Sequence, residues 1–184
     1  KFLPHFHIPL QSGCDAILGA MKRRYTTGMF RSKIDLIRAN MEHVFFGIDV
    51  IVGFPGETEE LFMETYRFLE SVKPAFIHIF PFSERPGTPA VTMPNKVQSR
   101  ISTERVERLE ELSSRLNRAF AERFLSTERD VLFESTNHDG LMYGYTDNYL
   151  RVSIPFNEAA VNNICCVRLD SIDANGDVCA TLIE

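Results

Sequence analysis

Asp49-Val-Ile-Val-Gly-Phe-Pro-Gly-Glu57-Thr58 decides the fold, because an apolar run leads straight into a turn rich in Gly and Pro and then into a helix start. Residues 50–53 read as a buried parallel strand, since strands covered on both faces show apolar runs rather than alternation. Gly53 and Gly56 let the backbone turn tightly and approach a ligand, Pro55 stiffens the turn, and Thr58 is placed to cap the next helix. Strand-to-helix joins of this kind lie at the carboxyl edge of a parallel sheet, where α/β proteins bind ligands.

Working outward, residues 6–10 read as a strand followed by the loop Gln11-Ser-Gly-Cys14 and a helix from Asp15 to about Arg23. Thr27 is a plausible N-cap for a second helix, in which Phe30, Ile34, Ile37 and Met41 recur at helical spacing. After the strand at 48–52 comes a helix with Phe62, Leu69 and Val72 on its apolar face, then a strand at 76–80. Strand-helix-strand units in succession imply a parallel sheet with right-handed crossovers. The loops Gln11-Ser-Gly13, Gly53-Phe-Pro-Gly-Glu57 and Phe82-Ser-Glu-Arg-Pro-Gly-Thr88 should then share one face.

Residues 96–126 predict a long amphipathic helix, with Asn95 and Gln98 placed for a capping box and Leu109, Leu112, Leu116, Phe120 and Phe124 forming a stripe. Its other face mixes Glu104, Arg105, Glu107, Arg108, Glu111, Arg115 and Arg118, and solvated ion pairs are favoured there over RNA contact. Beyond Glu128 the period becomes two, with short strands near 130–135, 141–146, 150–155, 165–172 and 178–183 separated by turn sequences. A small five-stranded antiparallel barrel is predicted, an architecture that often binds RNA or oligosaccharide.

A chain of 184 residues, 44% hydrophobic and 24% charged, is long enough for one large domain or two smaller ones. The net charge of -5 argues against nucleic-acid binding by bulk electrostatics, leaving local basic clusters. Absence of a long apolar run or a signal-peptide layout predicts a soluble cytoplasmic protein with no membrane association. Lys1-Phe-Leu-Pro-His-Phe-His-Ile-Pro-Leu10 enters at what reads as the middle of a strand, which suggests a longer parent protein. Cys14, Cys165, Cys166 and Cys179 lack metal-site spacing and read as free thiols.

Asp49 and Glu57 flank the glycine turn, where either can accept hydrogen bonds from a ribose, an amine or a backbone amide; Glu57 can equally be a first-turn acid facing the helix dipole. Acid/base work by the pair, or an unrelated barrel hydrolase using Glu57 and His78, gains no support from spacing. His5, His7 and His78 alternate with apolar residues on strands; a hydrogen-bonded strand histidine is favoured over a metal ligand, and no metal-binding residue is assigned. Arg23, in the cluster Lys22-Arg23-Arg24-Tyr25, suits phosphate contact, and Arg85 in its Pro-rich loop suits a carboxylate or phosphate. Tyr143, Tyr145, Tyr149 and Arg151 gather aromatic and cationic groups around a hairpin, as a platform for unstacked bases requires, although half-buried strand aromatics are also ordinary core residues.

Four segments in order, His7-Ile-Pro-Leu-Gln-Ser-Gly13, Met21-Lys-Arg-Arg-Tyr-Thr26, Asp49 to Thr58, and Phe82-Ser-Glu-Arg-Pro-Gly-Thr-Pro-Ala90, resemble the methylthiotransferase family of radical S-adenosylmethionine enzymes. The resemblance implies residues 1–127 as the second half of a radical, TIM-like parallel barrel and residues 128–184 as an OB-like TRAM domain. His5-Phe-His-Ile, Ser83-Glu-Arg-Pro-Gly-Thr88 and Asn148-Tyr-Leu-Arg-Val152 look most like the branch acting on N6-threonylcarbamoyladenosine beside the tRNA anticodon; relatives act on isopentenyladenosine or on a ribosomal protein. By resemblance, Gln11 and Ser12 lie beside S-adenosylmethionine, Ile51, Gly53, Phe54 and Pro55 contact its adenine region, and Asp49 faces the cavity. Arg23, Arg85, Tyr143, Tyr149 and Arg151 are the implied substrate or tRNA contacts. The family also implies two 4Fe-4S clusters, one on a CxxxCxxC motif absent here, and a reductant protein such as flavodoxin or ferredoxin. The chain by itself is therefore expected to be inactive. Cys14 stands where many relatives have serine, and Phe82 where tyrosine is common.

Overall fold

The computed structural model describes residues 2–183. Strand β1 (His5–Gln11), helices α1 (Asp15–Ala20) and α2 (Thr27–Asn40), strand β2 (Phe45–Val52), helix α3 (Glu59–Val72) and strand β3 (Phe76–Pro81) follow in the expected alternation. The strands form one sheet in the order β1-β2-β3, and β2 pairs with β3 in parallel, with Asp49 opposite His78 and Ile51 opposite Phe80. Ile48, Val50 and Val52 are fully buried, whereas Asp49 and Ile51 between them are not. Strand alternation thus turns one face of β2 into the core and presents Asp49 and Ile51 on the other.

Helix boundaries follow local chemistry. Thr58 caps α3, its hydroxyl accepting from the Leu61 N–H at 3.4 Å. The cap of α2 is Thr26 rather than the expected Thr27, because Thr26 Oγ1 accepts from the Met29 N–H at 3.2 Å. Helix α1 ends at Ala20, short of Arg23, where Lys22 turns left-handed at φ 57°. Helix α4 (Ser99–Glu122) begins later than the predicted capping box allows. Asn95 sits at φ 58° outside the helix, and its carbonyl accepts from the Gly56 N–H at 2.9 Å.

The described residues divide into two compact units, one made of Phe6–Glu42 and Phe46–Leu116, the other of residues 2–5, His43–Phe45 and residues 117–183. In the first, Leu109 and Leu112 of α4 are fully buried, as the apolar stripe predicts; in the second, Phe120 and Phe124 are buried.

The second unit contains β4 (Glu128–Phe133), β5 (Leu141–Thr146), β6 (Arg151–Pro155), β7 (Ile164–Ile172) and β8 (Val178–Leu182), closed into a barrel in the order β4-β5-β6-β8-β7. The expected five strands are present, but the barrel is not wholly antiparallel: β6 and β8 run parallel. A closed ring with an odd number of strands cannot alternate all the way round, so one parallel pair is unavoidable. Asp173 Oδ1 accepts from the N–H groups of Asn175 and Asp177 to form the β7–β8 turn, with Gly176 at φ 89°. Gly144 on β5 faces a tight wall, since a Cβ there would lie 2.5 Å from the Leu132 carbonyl oxygen.

Candidate functional site

The turn after β2 is fixed from within and from α4. Glu57 Oε2 accepts from the Gly53 N–H at 2.7 Å and from Arg105 NH1 at 2.7 Å, while the same NH1 donates to the Glu57 carbonyl at 3.1 Å. Both side chains are buried, at 0% and 4% exposure. Burial pushes the Glu57 carboxyl upward, opposed by the Gly53 N–H and the Arg105 charge. Gly53 is favoured by its left-handed φ of 78°, and a Cβ there would stand 2.1 Å from Ser102 Oγ on α4, which would have to turn away. Glu57 therefore organises the loop rather than facing a ligand. Arg105, expected on a solvated helix face, is a buried partner; Arg100 with Glu104 at 3.0 Å is an exposed pair of the expected kind.

At the carboxyl ends of β2 and β3 lies a cavity of about 380 Å³, mostly apolar, lined by Ile51, Phe54, Phe82, Met21, Met93 and Arg23 among others. That volume is in the range of small-molecule sites. Phe54 meets Phe82 edge-on at 5.2 Å, and Phe82, lacking a hydroxyl, serves as wall. Arg23 NH2 donates to Gln11 Oε1 at 3.0 Å, which brings a residue singled out for phosphate together with one singled out for cofactor. Gln11 reaches this position from a left-handed backbone at φ 70°, and Tyr25 fastens the basic loop by donating to the Leu10 carbonyl at 2.9 Å. Ser12 is fully buried; its hydroxyl meets Thr65 Oγ1 at 3.1 Å and accepts from the Cys14 N–H, so it shapes the loop from behind. Cys14 is buried beside Ile17 and Phe54, and burial pushes its thiol upward. Pro55, with Gly53, borders a second opening beside Lys96 and Ser102.

The open face of the sheet carries a polar group that strand spacing alone could not reveal. His7 on β1, Asp49 on β2 and His78 on β3 offer ligand atoms all within 4.8 Å of one another, the one such set of three among the described residues. His7 Nε2 is hydrogen-bonded to Asp49 Oδ1, and the His7 and His78 rings stack with centroids 4.5 Å apart. Burial lowers the His78 pKa, His7 adds to this, and Asp49 opposes it. The favoured hydrogen-bonded strand histidine is thus what His7 is. The trio can exchange hydrogen bonds with a polar ligand or, by donor type, hold a divalent cation.

Arg85 is exposed in its loop, with its carbonyl taking the Thr88 N–H and hydroxyl. In the barrel unit, Tyr149 stacks on Tyr145 at 4.7 Å and on His5 at 4.1 Å, and the Arg151 guanidinium lies over the Tyr143 ring at 4.1 Å. Arg151 is held there by Asp177 at 2.6 Å. Buried Asn148 accepts from Thr146 Oγ1 at 2.6 Å and donates to the His43 carbonyl at 3.1 Å, setting the turn that presents Tyr149 at φ 66°. Spacing marked the aromatics but gave no sign of the Asn148 anchor or of the Asp177 pairing.

No helix among the described residues is long and apolar enough to cross a membrane. No family model matches the chain. The chain is 38% identical over 173 residues to threonylcarbamoyladenosine tRNA methylthiotransferase MtaB of Bacillus subtilis (strain 168), covering 92% of the chain and 38% of that protein. MtaB of Treponema pallidum (strain Nichols) is 42% identical over 82% of the chain and 30% of its own length. The tRNA-2-methylthio-N(6)-dimethylallyladenosine synthase of Thermobifida fusca (strain YX) is 44% identical over 71% of the chain and 26% of its own length. Among solved structures, coproporphyrinogen III oxidase (HemN) of Escherichia coli, a radical SAM enzyme, is similar with a TM-score of 0.54 at 11% identity, over 85% of this chain and 47% of that one; the likeness concerns the fold. The chain spans 26% to 38% of the length of these named relatives, and over that span it belongs to the methylthiotransferase family.

Proposed function

We propose that the chain is the part of a tRNA methylthiotransferase that walls the S-adenosylmethionine pocket and contacts tRNA, the enzyme adding a methylthio group to C2 of N6-threonylcarbamoyladenosine beside the anticodon. The observation that carries this reading is the cavity at the carboxyl edge of the sheet, where Ile51 and Phe54 offer apolar walls and Arg23 meets Gln11 at 3.0 Å. These residues fit the cofactor: an adenine needs apolar surface, a ribose needs acceptors such as Gln11 and the second oxygen of Asp49, and a carboxylate needs a cation such as Arg23. S-adenosylmethionine held there would supply the radical from one molecule, and the methyl group would come from another. Ile51 and Phe54 exclude water, Gly53 and Pro55 set their distance from the ligand, and Ser12 holds the β1 loop in shape.

Cluster ligands do not fit this chain. Cys14 is buried in the first unit, and Cys165, Cys166 and Cys179 lie on β7 and β8, so no three-thiolate set exists among the described residues. Both 4Fe-4S clusters belong on residues outside the chain, and the chain alone is inactive in this reading. Residues 1–127 correspond to barrel and linking helix, residues 128–184 to a TRAM domain, in a cytoplasmic enzyme served by a reductant protein. Tyr143, Tyr145, Tyr149 and Arg151 then form the stacking face for unpaired bases, and Arg85 contacts substrate from its exposed loop.

Full-length protein with reconstituted clusters, incubated with tRNA carrying threonylcarbamoyladenosine, is expected to yield the methylthio nucleoside by mass spectrometry. Product only from isopentenyladenosine tRNA overturns the substrate assignment. The stacked aromatics also favour a narrower reading, in which the chain acts only as an RNA-binding module. Deleting residues 128–184 is expected to abolish tRNA binding, and undiminished binding by the truncated protein rejects a role for the barrel.

A further inference from the structure

The open face of the sheet carries a polar group that crosses all three strands and is flanked on β3 by apolar residues. Phe80 is 50% exposed and Phe76 38% exposed on β3, and Phe76 meets the His78 ring edge-on at 4.7 Å. The His7–Asp49–His78 group runs from β1 across β2 to β3, where His78 lies between the two phenylalanines, with the His7 side chain 49% and Asp49 22% exposed. Side chains on alternate positions of adjacent strands share a face, which is how residues 42 and 29 positions apart come together.

We propose that His7 and His78 read the substituent on N6 of the substrate adenosine, with Asp49 orienting His7, so that this chain selects a threonylcarbamoyl over a dimethylallyl group. The inference rests on the methylthiotransferase reading above and decides between two substrates named for its relatives. A dimethylallyl group has no hydrogen-bonding atom. Seated here, it would strip water from two imidazoles and a carboxylate without replacing any hydrogen bond. A threonylcarbamoyl group carries a ureido, a hydroxyl and a carboxylate. His7 commits Nε2 to Asp49 and keeps Nδ1 for a polar atom of the ligand. His78, held neutral by its surroundings, offers one donor and one acceptor, which matches a hydroxyl or ureido. Sites built to hydrogen-bond a substrate group reject analogues lacking it far more strongly than apolar pockets reject an added polar group.

Two measurements test this independently. In the first, histidine ring NMR signals of the chain are followed while N6-threonylcarbamoyladenosine or N6-dimethylallyladenosine nucleoside is added. His7 and His78 are expected to shift with the threonylcarbamoyl nucleoside alone, while His43 and His138 stay still. Equal shifts with both nucleosides, or none with either, overturn the proposal. In the second, the full-length enzyme is compared on the two tRNAs. His7→Leu and His78→Leu are each expected to lower the ratio of kcat/KM for threonylcarbamoyl over dimethylallyl tRNA by about tenfold to a hundredfold. His78→Gln, which keeps a donor and an acceptor, should restore most of the ratio. An unchanged ratio in both leucine variants overturns the proposal. If neither tRNA gives methylthio product but the ring signals shift selectively, the enzymatic reading fails and the recognition site stands; product without preference or shift has the opposite meaning.

Discussion

Arg105→Met is expected to free the Gly53–Glu57 turn. The substitution keeps an apolar stem against Phe62, over which the guanidinium lies at 5.2 Å, but deletes the hydrogen bonds to Glu57 Oε2 and to its carbonyl. Glu57 would be left fully buried with the Gly53 N–H as its remaining partner. Removing one member of a buried ion pair costs about 3–5 kcal/mol, because the other charge stays uncompensated. At a factor of ten per 1.4 kcal/mol, the loss corresponds to at least about a hundredfold faster exchange of the Gly53 amide if the turn opens locally. Glu57→Gln should cost less, about 1–3 kcal/mol, since the amide oxygen still accepts from Gly53 and Arg105 retains Glu59 at 3.7 Å. The double variant should cost less than the sum of the singles, by a coupling of about 2 kcal/mol. Hydrogen exchange resolved at Gly53, with urea unfolding of each variant, provides the assay. Exchange changed less than tenfold in Arg105→Met, or additive single variants, would refute the assignment of the pair as the clamp of this turn.

Gly53→Ala should destabilise the first unit by more than the roughly 1–2 kcal/mol of a left-handed backbone, because Ser102 must also move; thermal unfolding checks this, and a loss under 1 kcal/mol counts against it. Gly144→Ala should disrupt the barrel more severely, since the nearest atom is the Leu132 carbonyl of the strand backbone rather than a side chain; loss of the β7–β8 and β4–β5 amide protection would show it. His78 carries a pH dependence whose sign follows from its lowered pKa. Folded, it binds fewer protons than the unfolded chain just below the ordinary value of 6.5, so the stability it lends is full above 6.5 and is lost as pH falls toward the folded value. His78→Phe should flatten that acid limb in urea titrations, and an unchanged slope would contradict the shift.

Why part of the site was readable in the residues and part was not comes down to the range of the interactions. Thr58, the glycine turn and the apolar run before it are local, so spacing alone placed them, and the strands and helices of the first unit follow from periods of two and 3.6 that depend on burial of one face. Helix α4 was readable for the same reason, yet Arg105 was not. Its charged neighbours have identical spacing, and only the fold brings the Glu57 carboxylate, 48 residues away, to within 2.7 Å. The capping box failed because Asn95 spends its carbonyl on Gly56, a tertiary demand that competes with helix initiation. The antiparallel expectation for the barrel failed for a reason of topology rather than of residues: each hairpin was correctly alternating, and closure of five strands forced the parallel β6–β8 pair.

The polar group on the open sheet shows what this difference means for function. His7 and His78 each looked like an isolated strand histidine, and Asp49 looked like an acceptor beside a glycine turn. Parallel pairing places Asp49 opposite His78, and β1 beside β2 adds His7, so one register decision creates the group. A shift of β3 by one residue would turn His78 into the core face and bring Ile77 or Ile79 outward, since strand side chains alternate. The burial of Ile77 at 2% exposure fixes that register hydrophobically. The apolar core of the first unit therefore sets the polar chemistry on its other face, although no polar residue there contributes to the core. Substitutions that loosen Ile77, such as Ile77→Ala at a cost of about 2–5 kcal/mol, should weaken ligand recognition by the histidines as well as stability, even though Ile77 never faces the ligand.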